Sequence, residues 1–195
     1  MLPARLLLLG LTLGLGACST RRLPKYEEPL PRARFQTVRT TAYTHTESDH
    51  RPYGNKSAIG TPLQSGPLLH SAATDWARWP VGTVFRICST GETFKVDDYG
   101  WALSGRNTID LYKPSRAAMN AWGVRRERIE ILHWGSASEA KRRLQPVRKY
   151  AHVGRMLKEI DSFYARSEDT SSAADSSARM AHAIPIAPEI LRSNR

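Results

Sequence analysis

Two aspartates stand side by side in the stretch KVDDYGWALSGRNTIDLY, residues 95–112. Asp97 and Asp98 precede Gly100 and Gly105, and Asp110 lies in an apolar run beyond them. A further acid, Asp75, comes earlier, before the turn residues Pro80 and Gly82. A carboxyl with its pKa raised toward neutrality can give a proton to a leaving oxygen and later take one back. Ordinary glycoside hydrolysis asks for two such groups. Successive strand residues point to opposite faces, so only one of Asp97 and Asp98 is expected in a shared site, the other being solvated or capping a turn. His45 and His50 share a polar loop with Glu47 and Asp49. Their spacing matches no zinc site, so no metal is expected and the loop reads as solvated.

The elements that must position these acids are short strands. FQTVRTTAYT alternates and is rich in Thr, Val and aromatics, which suits a strand. LLHSAATD, GTVFRICS, TFKVDD, TIDLY and ERIEILHW read as further strands, with a long Gly- and Pro-rich loop after the first. In the last strand Ile129 and Ile131 share one face and Glu130 and Leu132 the other. Cys88, in the apolar run TVFRICS, reads as a buried structural thiol. Between the last two strands a helix is expected over Arg116–Trp122, with Ser115 as N-cap and Gly123 as its stop. Ser136 and Glu139 fit a capping box that opens a basic helix to Leu144. A second helix over about 150–166 carries an apolar stripe of Val153, Met156, Leu157, Ile160, Phe163 and Tyr164. Many strands with one small helix between them predict a closed β-barrel rather than an α/β sheet.

The chain has 195 residues and a formal net charge of +11, so it favours anionic partners. Seven Lys or Arg lie between Glu139 and Lys158 (Lys141, Arg142, Arg143, Arg148, Lys149, Arg155, Lys158), either a surface for an acidic polymer or the solvated side of helices. The N-terminus has Arg5 and an apolar run from Leu6 to Leu15, too short to span a bilayer. Leu15-Gly16-Ala17-Cys18 resembles a bacterial lipobox. That resemblance implies a signal peptide over 1–17, lipidation of Cys18, and a cell-envelope address, with Ser19 suggesting the outer membrane facing the periplasm. It argues against nucleic acid as a partner. Residues 18–34, with Pro24, Pro29 and Pro31, read as an extended linker holding the domain off the membrane. The remaining divisions are 35–133 as the barrel, 134–166 as a basic helical extension and 167–195 as a disordered tail.

Taken together, DDYGWALSG followed by IDLY resembles the three-aspartate ("3D") domain. Asp98, Gly100, Ala102, Gly105, Ile109 and Asp110 match its central motif, AATDWARWPVGT supplies Asp75 at its first aspartate, and RTTAYT and WGVRRERIEIL match its outer strands. The resemblance covers about Val38 to Leu132. Trp101 stands where the motif has a second Gly, Ser104 where it often has Lys, and one extra residue separates Gly105 from Asp110. The same domain forms the catalytic half of the membrane-bound lytic transglycosylase A family and is similar to the expansin and rare-lipoprotein-A barrels.

The resemblance implies a six-stranded double-psi β-barrel and selects Asp98 over Asp97 as the acid/base. It implies cleavage of the MurNAc–GlcNAc bond of peptidoglycan to a 1,6-anhydro product, with no cofactor. Asp75 and Asp110 would support Asp98 or hold turns, Gly100 would let the backbone approach the substrate, and Tyr43 and Trp101 would stack on sugar or pack at the rim. The other reading is a non-catalytic peptidoglycan-binding or wall-loosening lipoprotein.

Overall fold

The structure is a computed structural model that describes residues 22–48 and 50–163. The expected signal peptide, Cys18, Asp49 and the tail from 167 onward lie outside the described residues. Six strands form in the expected order: β1 (Phe35–Tyr43), β2 (His70–Ala73), β3 (Val84–Ile87), β4 (Thr93–Asp98), β5 (Thr108–Tyr112) and β6 (Arg125–His133). Their spatial order is β1-β5-β2-β4-β3-β6, and β6 returns to β1 to close a ring. β1 with β5 and β2 with β4 pair in parallel, and the other neighbours pair antiparallel.

Alternation decides what fills the ring. Val38, Phe85, Ile87, Phe94, Val96, Ile109, Leu111, Ile129 and Ile131 are buried in one cluster. Phe85 and Phe94 are register partners and stack with centroids 5.6 Å apart. Burying a side chain of this size contributes roughly 1.5–3 kcal/mol. The same alternation corrects the expectation for Cys88. Phe85 and Ile87 point inward, so Arg86 and Cys88 point out, and the thiol is exposed.

The helix α1 (Arg116–Trp122) has the caps its sequence predicts. Ser115 Oγ accepts from the Ala118 amide at 3.2 Å, and Gly123, at φ 64°, donates to the Met119 carbonyl. Trp122 pins it to β1 by donating to Thr40 Oγ1. In α2 (Ala137–Leu144) only half of the capping box forms. Ser136 Oγ accepts from the Glu139 amide, but the Glu139 carboxylate turns to Arg142 and Arg143. The Ser136 amide donates to Val81 O instead. The chain crosses the Pro80–Thr83 turn at Gly135, where a Cβ would lie 2.2 Å from Val81 O; only glycine passes there. The helix α3 covers 151–163 of the described residues. Its Val153, Met156, Leu157 and Ile160, with Ala140 and Leu144 of α2, join the ring's own cluster, while Phe163 stays 38% exposed.

Residues 22–34 form no helix or strand, but they are docked on the domain rather than hanging free of it. The Glu27 amide donates to Gly105 O at 2.8 Å, and Glu27 Oε2 accepts from the Asn107 amide at 2.7 Å. Arg106 pairs with the same carboxylate, Arg155 donates to Pro24 O, and Gln36 donates to Pro31 O. Prolines keep this segment extended, which leaves its carbonyls open to donors on the domain. Among the described residues, no helix is long and apolar enough to cross a membrane.

Candidate functional site

The acids gather on the outer face of the ring, where β1, β5, β2 and β4 lie side by side. In these pairings Thr41 stands beside Asp110, Tyr43 beside Tyr112, and Ala73 beside both Asp110 and Asp98. Their neighbours along the chain, Ile109, Leu111, Ala72 and Val96, face the core. Tyr43, Ala73 and Tyr112 form a second apolar cluster with Leu103 and Leu63, the last from the long loop after β1. That loop roofs the acids.

Asp98 is held from three sides. Its Oδ2 accepts from the Tyr43 hydroxyl at 3.0 Å, and its Oδ1 accepts from the Ala58 amide at 3.0 Å and the Tyr99 amide at 2.9 Å. Its backbone carbonyl accepts from Trp76 Nε1 and the Thr74 amide. The residue is 6% exposed. Burial raises its pKa, and the donors together with the nearby His50 only partly offset this. Because both amides occupy Oδ1, a proton on this carboxyl belongs on Oδ2, at the lone pair that the Tyr43 hydroxyl leaves open.

Strand alternation does not place Asp97 in solvent. The pairing of β2 with β4 shifts so that Ala72 matches Val96 and Ala73 matches Asp98, leaving Asp97 as an extra residue. Such a bulge turns two successive side chains toward one side of a sheet. Asp97 is 5% exposed, its Oδ2 accepting from Ser71 Oγ at 2.6 Å and its Oδ1 buried with no partner among the described residues beyond its own backbone. Burial first, and the charge of Asp98 with it, push its pKa up to about 6, against the Ser71 hydrogen bond. Asp110 is half-buried, accepts from Thr41 Oγ1 at 2.6 Å, and is also pushed up to about 6, by burial and then by Glu47 and Asp98. The fold therefore brings together Asp97, Asp98 and Asp110, whose carboxyls all hold their protons at higher pH than free ones.

Asp75 belongs elsewhere. It is fully buried, accepts from the Gly105 amide at 2.5 Å and the Ala77 amide at 2.8 Å, and has Arg78 and Arg155 as its charged surroundings. The groups that act most strongly on Asp98, Asp97 and Asp110 do not include it. Gly105, at φ 73°, presents its amide to Asp75, and this is where the motif requires a glycine conformation. Gly100 is different. At φ −142° its backbone is ordinary extended chain, and a Cβ would meet Leu103 Cδ1 at 3.5 Å, an ordinary contact. Trp101 opens the 3-10 turn Trp101–Leu103 and is half-buried.

Tyr43 does not offer a face for stacking. It is 8% exposed, with the rings of Tyr112 and His50 each 5.6 Å away, so its contribution is the hydroxyl on Asp98. The histidine loop is not a solvated strand of polar residues either. His45 Nδ1 meets the Tyr112 hydroxyl at 2.8 Å, and His50 covers Tyr43. Among the described residues, no group of three or more His, Cys, Asp or Glu could hold a metal ion. Ser71, Thr41 and Tyr112 are site neighbours that the sequence pattern does not single out, and His50, weighed from the sequence only as a metal ligand, instead packs on Tyr43. The one signal for Asp97 was its polarity beside Asp98, which alternation discounts.

No family profile matches the chain. Over 97 residues, 50% of this chain, it is 30% identical to the cell wall-binding protein YocH of Bacillus subtilis (strain 168). The match covers 32% of that protein, so the chain spans about a third of the length of the curated relative it matches. The chain is thus a distant homologue of a protein that binds the cell wall.

Proposed function

We propose that this chain acts on peptidoglycan in the cell envelope as a lytic transglycosylase, with Asp98 as its acid/base. The observation that carries the reading is the Asp98 carboxyl, buried and raised in pKa by that burial, with its charge acting on Asp97 and Asp110. An acid of this kind stays protonated closer to neutral pH and can protonate the glycosidic oxygen. The MurNAc 6-hydroxyl then attacks C1 and returns its proton to the same carboxylate, closing the 1,6-anhydro ring without water. Atoms balance with one residue acting twice. Tyr43 orients Oδ2, and Asp110, with one oxygen held by Thr41, is the neighbouring carboxyl that borders the substrate. The six-stranded ring is read as a double-psi β-barrel, and the anchor is read as lipidated Cys18 in the outer membrane.

A second reading has its own observation. All of the hydrogen bonds that Asp98 receives come from within the protein, as for a group that holds a roof in place. The distant relative is named for binding. On this reading the domain binds glycan without cleaving it. Mass analysis of purified sacculi digested with the wild type and with Asp98→Asn separates the two. The enzyme reading expects 1,6-anhydromuropeptides from the wild type and a loss of at least about 100-fold in Asp98→Asn, the scale of general acid catalysis. Wild-type protein that binds sacculi and releases no anhydro product leaves the binding reading.

A further inference from the structure

The antiparallel pairing of β1 with β6 sets Arg39 directly opposite Arg126, and Thr37 opposite Arg128. These residues are exposed, while Val38 and its register partner Glu127 between them are buried, with Glu127 accepting from Ser89 Oγ. Like charges opposite each other on one face of a sheet weaken the pair that carries them. Among the described residues neither guanidinium of this pair has a hydrogen bond or ion pair, and the carboxyl that Arg39 acts on through space, Asp110, is itself held by Thr41. The acid that shares the face, Glu130, is taken by Arg34 at 2.7 Å and by Arg86. Phe35, 45% exposed, lies under the guanidinium of Arg128 at 4.5 Å. The basic row runs into the acid site. Arg39 lies two residues before Thr41, the residue that holds Asp110, and its charge acts on Asp110.

We infer that the outer face of β1 and β6 binds the carboxylate-bearing peptide stems of the glycan strand, through Arg39, Arg126 and Arg128. The inference rests on the peptidoglycan reading and adds a preference for peptide-bearing over naked glycan. A strand seated at Asp98 and Asp110 carries its side branches past the neighbouring strands. The planar guanidinium fork matches a carboxylate in two parallel hydrogen bonds, and three forks in a row match branches that repeat along a polymer. Binding of a carboxylate would also remove the repulsion between Arg39 and Arg126, so the free face is poised for an anion.

The test uses the full chain, wild type and Arg39→Gln/Arg126→Gln/Arg128→Gln. Its substrates are intact sacculi, sacculi stripped to naked glycan by an amidase, and vesicles containing anionic phospholipid. Three exposed ion pairs of about twofold each give the wild type roughly a tenfold preference for intact over stripped sacculi, lost at high salt. The triple variant should bind both equally, with its affinity for stripped glycan unchanged. Its melting temperature should be equal to or above that of the wild type, because a like-charge pair has gone. A wild type without preference, or a variant that keeps it, overturns the inference while leaving the wall reading intact. Loss of vesicle binding in the variant, with the preference for intact sacculi retained, overturns it in favour of a lipid surface. A wild type that binds neither form of sacculus overturns both.

Discussion

Asp97→Asn probes the bulge and the burial of its carboxyl together. In the folded protein the pKa of Asp97 rises from 3.8 to about 6, first through burial and then through the charge of Asp98. A folded pKa above the unfolded one means that the native state binds the proton more tightly. The contribution is therefore fully present below about pH 4 and is lost as pH rises through about 6. Each pKa unit corresponds to about 1.4 kcal/mol, which sets a ceiling near 3 kcal/mol for the loss between pH 4 and 7.5. Screening within a protein is stronger than a dry interior implies, which reduces this to about 1–3 kcal/mol. Asparagine does not titrate. Relative to the wild type, Asp97→Asn should therefore gain about 1–3 kcal/mol between pH 4 and 7.5, whatever the offset at pH 4. For a chain of this length that is about 3–10 °C in melting temperature. Urea denaturation at half-unit pH steps measures it, and Asp110, which titrates with the same sign in both proteins, cancels in the difference. Curves for the two proteins that run parallel within about 0.5 kcal/mol, the scale of an ordinary surface substitution, would refute the burial of a titrating Asp97.

Asp75→Ala removes the acceptor of two amides, the buried Gly105 and the part-buried Ala77, and a charge beside Arg78. It should cost about 3–5 kcal/mol, read as a lower urea midpoint at unchanged slope, and a loss below about 1 kcal/mol would return Asp75 to the candidates for a role in substrate contact. Cys88 is exposed in the turn just after β3, so in a Cys18→Ser background the native protein should react with a thiol reagent at one equivalent before any denaturant is added. Cys88→Ser should then lie within about 0.5 kcal/mol of its parent, and a thiol that reacts only on unfolding would contradict the outward face assigned to it.

Local signals carried much of this molecule. Residues 93–98 and 108–112 read as strands because their patterns are short, β-branched and bounded by turns, and β4 and β5 have those limits. The caps of α1 follow from Ser115 and Gly123, whose chemistry acts within a few residues of themselves. The apolar stripe of α3 was legible as a buried face, although periodicity cannot say that the stripe would complete the ring's own core.

What alternation could not supply was the break in alternation. Whether Asp97 is solvated depends on how β4 aligns with β2, whose partners, such as Ala72 and Val96, lie 24 residues apart in sequence. The single-residue shift between Ala72 and Ala73 exists only in the pairing, and it puts Asp97 against Ser71 and Asp98 against Tyr43. The same holds for Asp75, which occupies the motif's first acid position yet spends its oxygens on Gly105 and Ala77. The docking of residues 22–34 also escaped a composition-based reading, because proline density predicts extension and says nothing of which donors meet the free carbonyls. From the sequence alone came a β-rich chain with three aspartates at meaningful positions. Tertiary structure alone decided which carboxyls share one environment, since burial and the field of a neighbouring charge act through space, between residues that the chain keeps far apart.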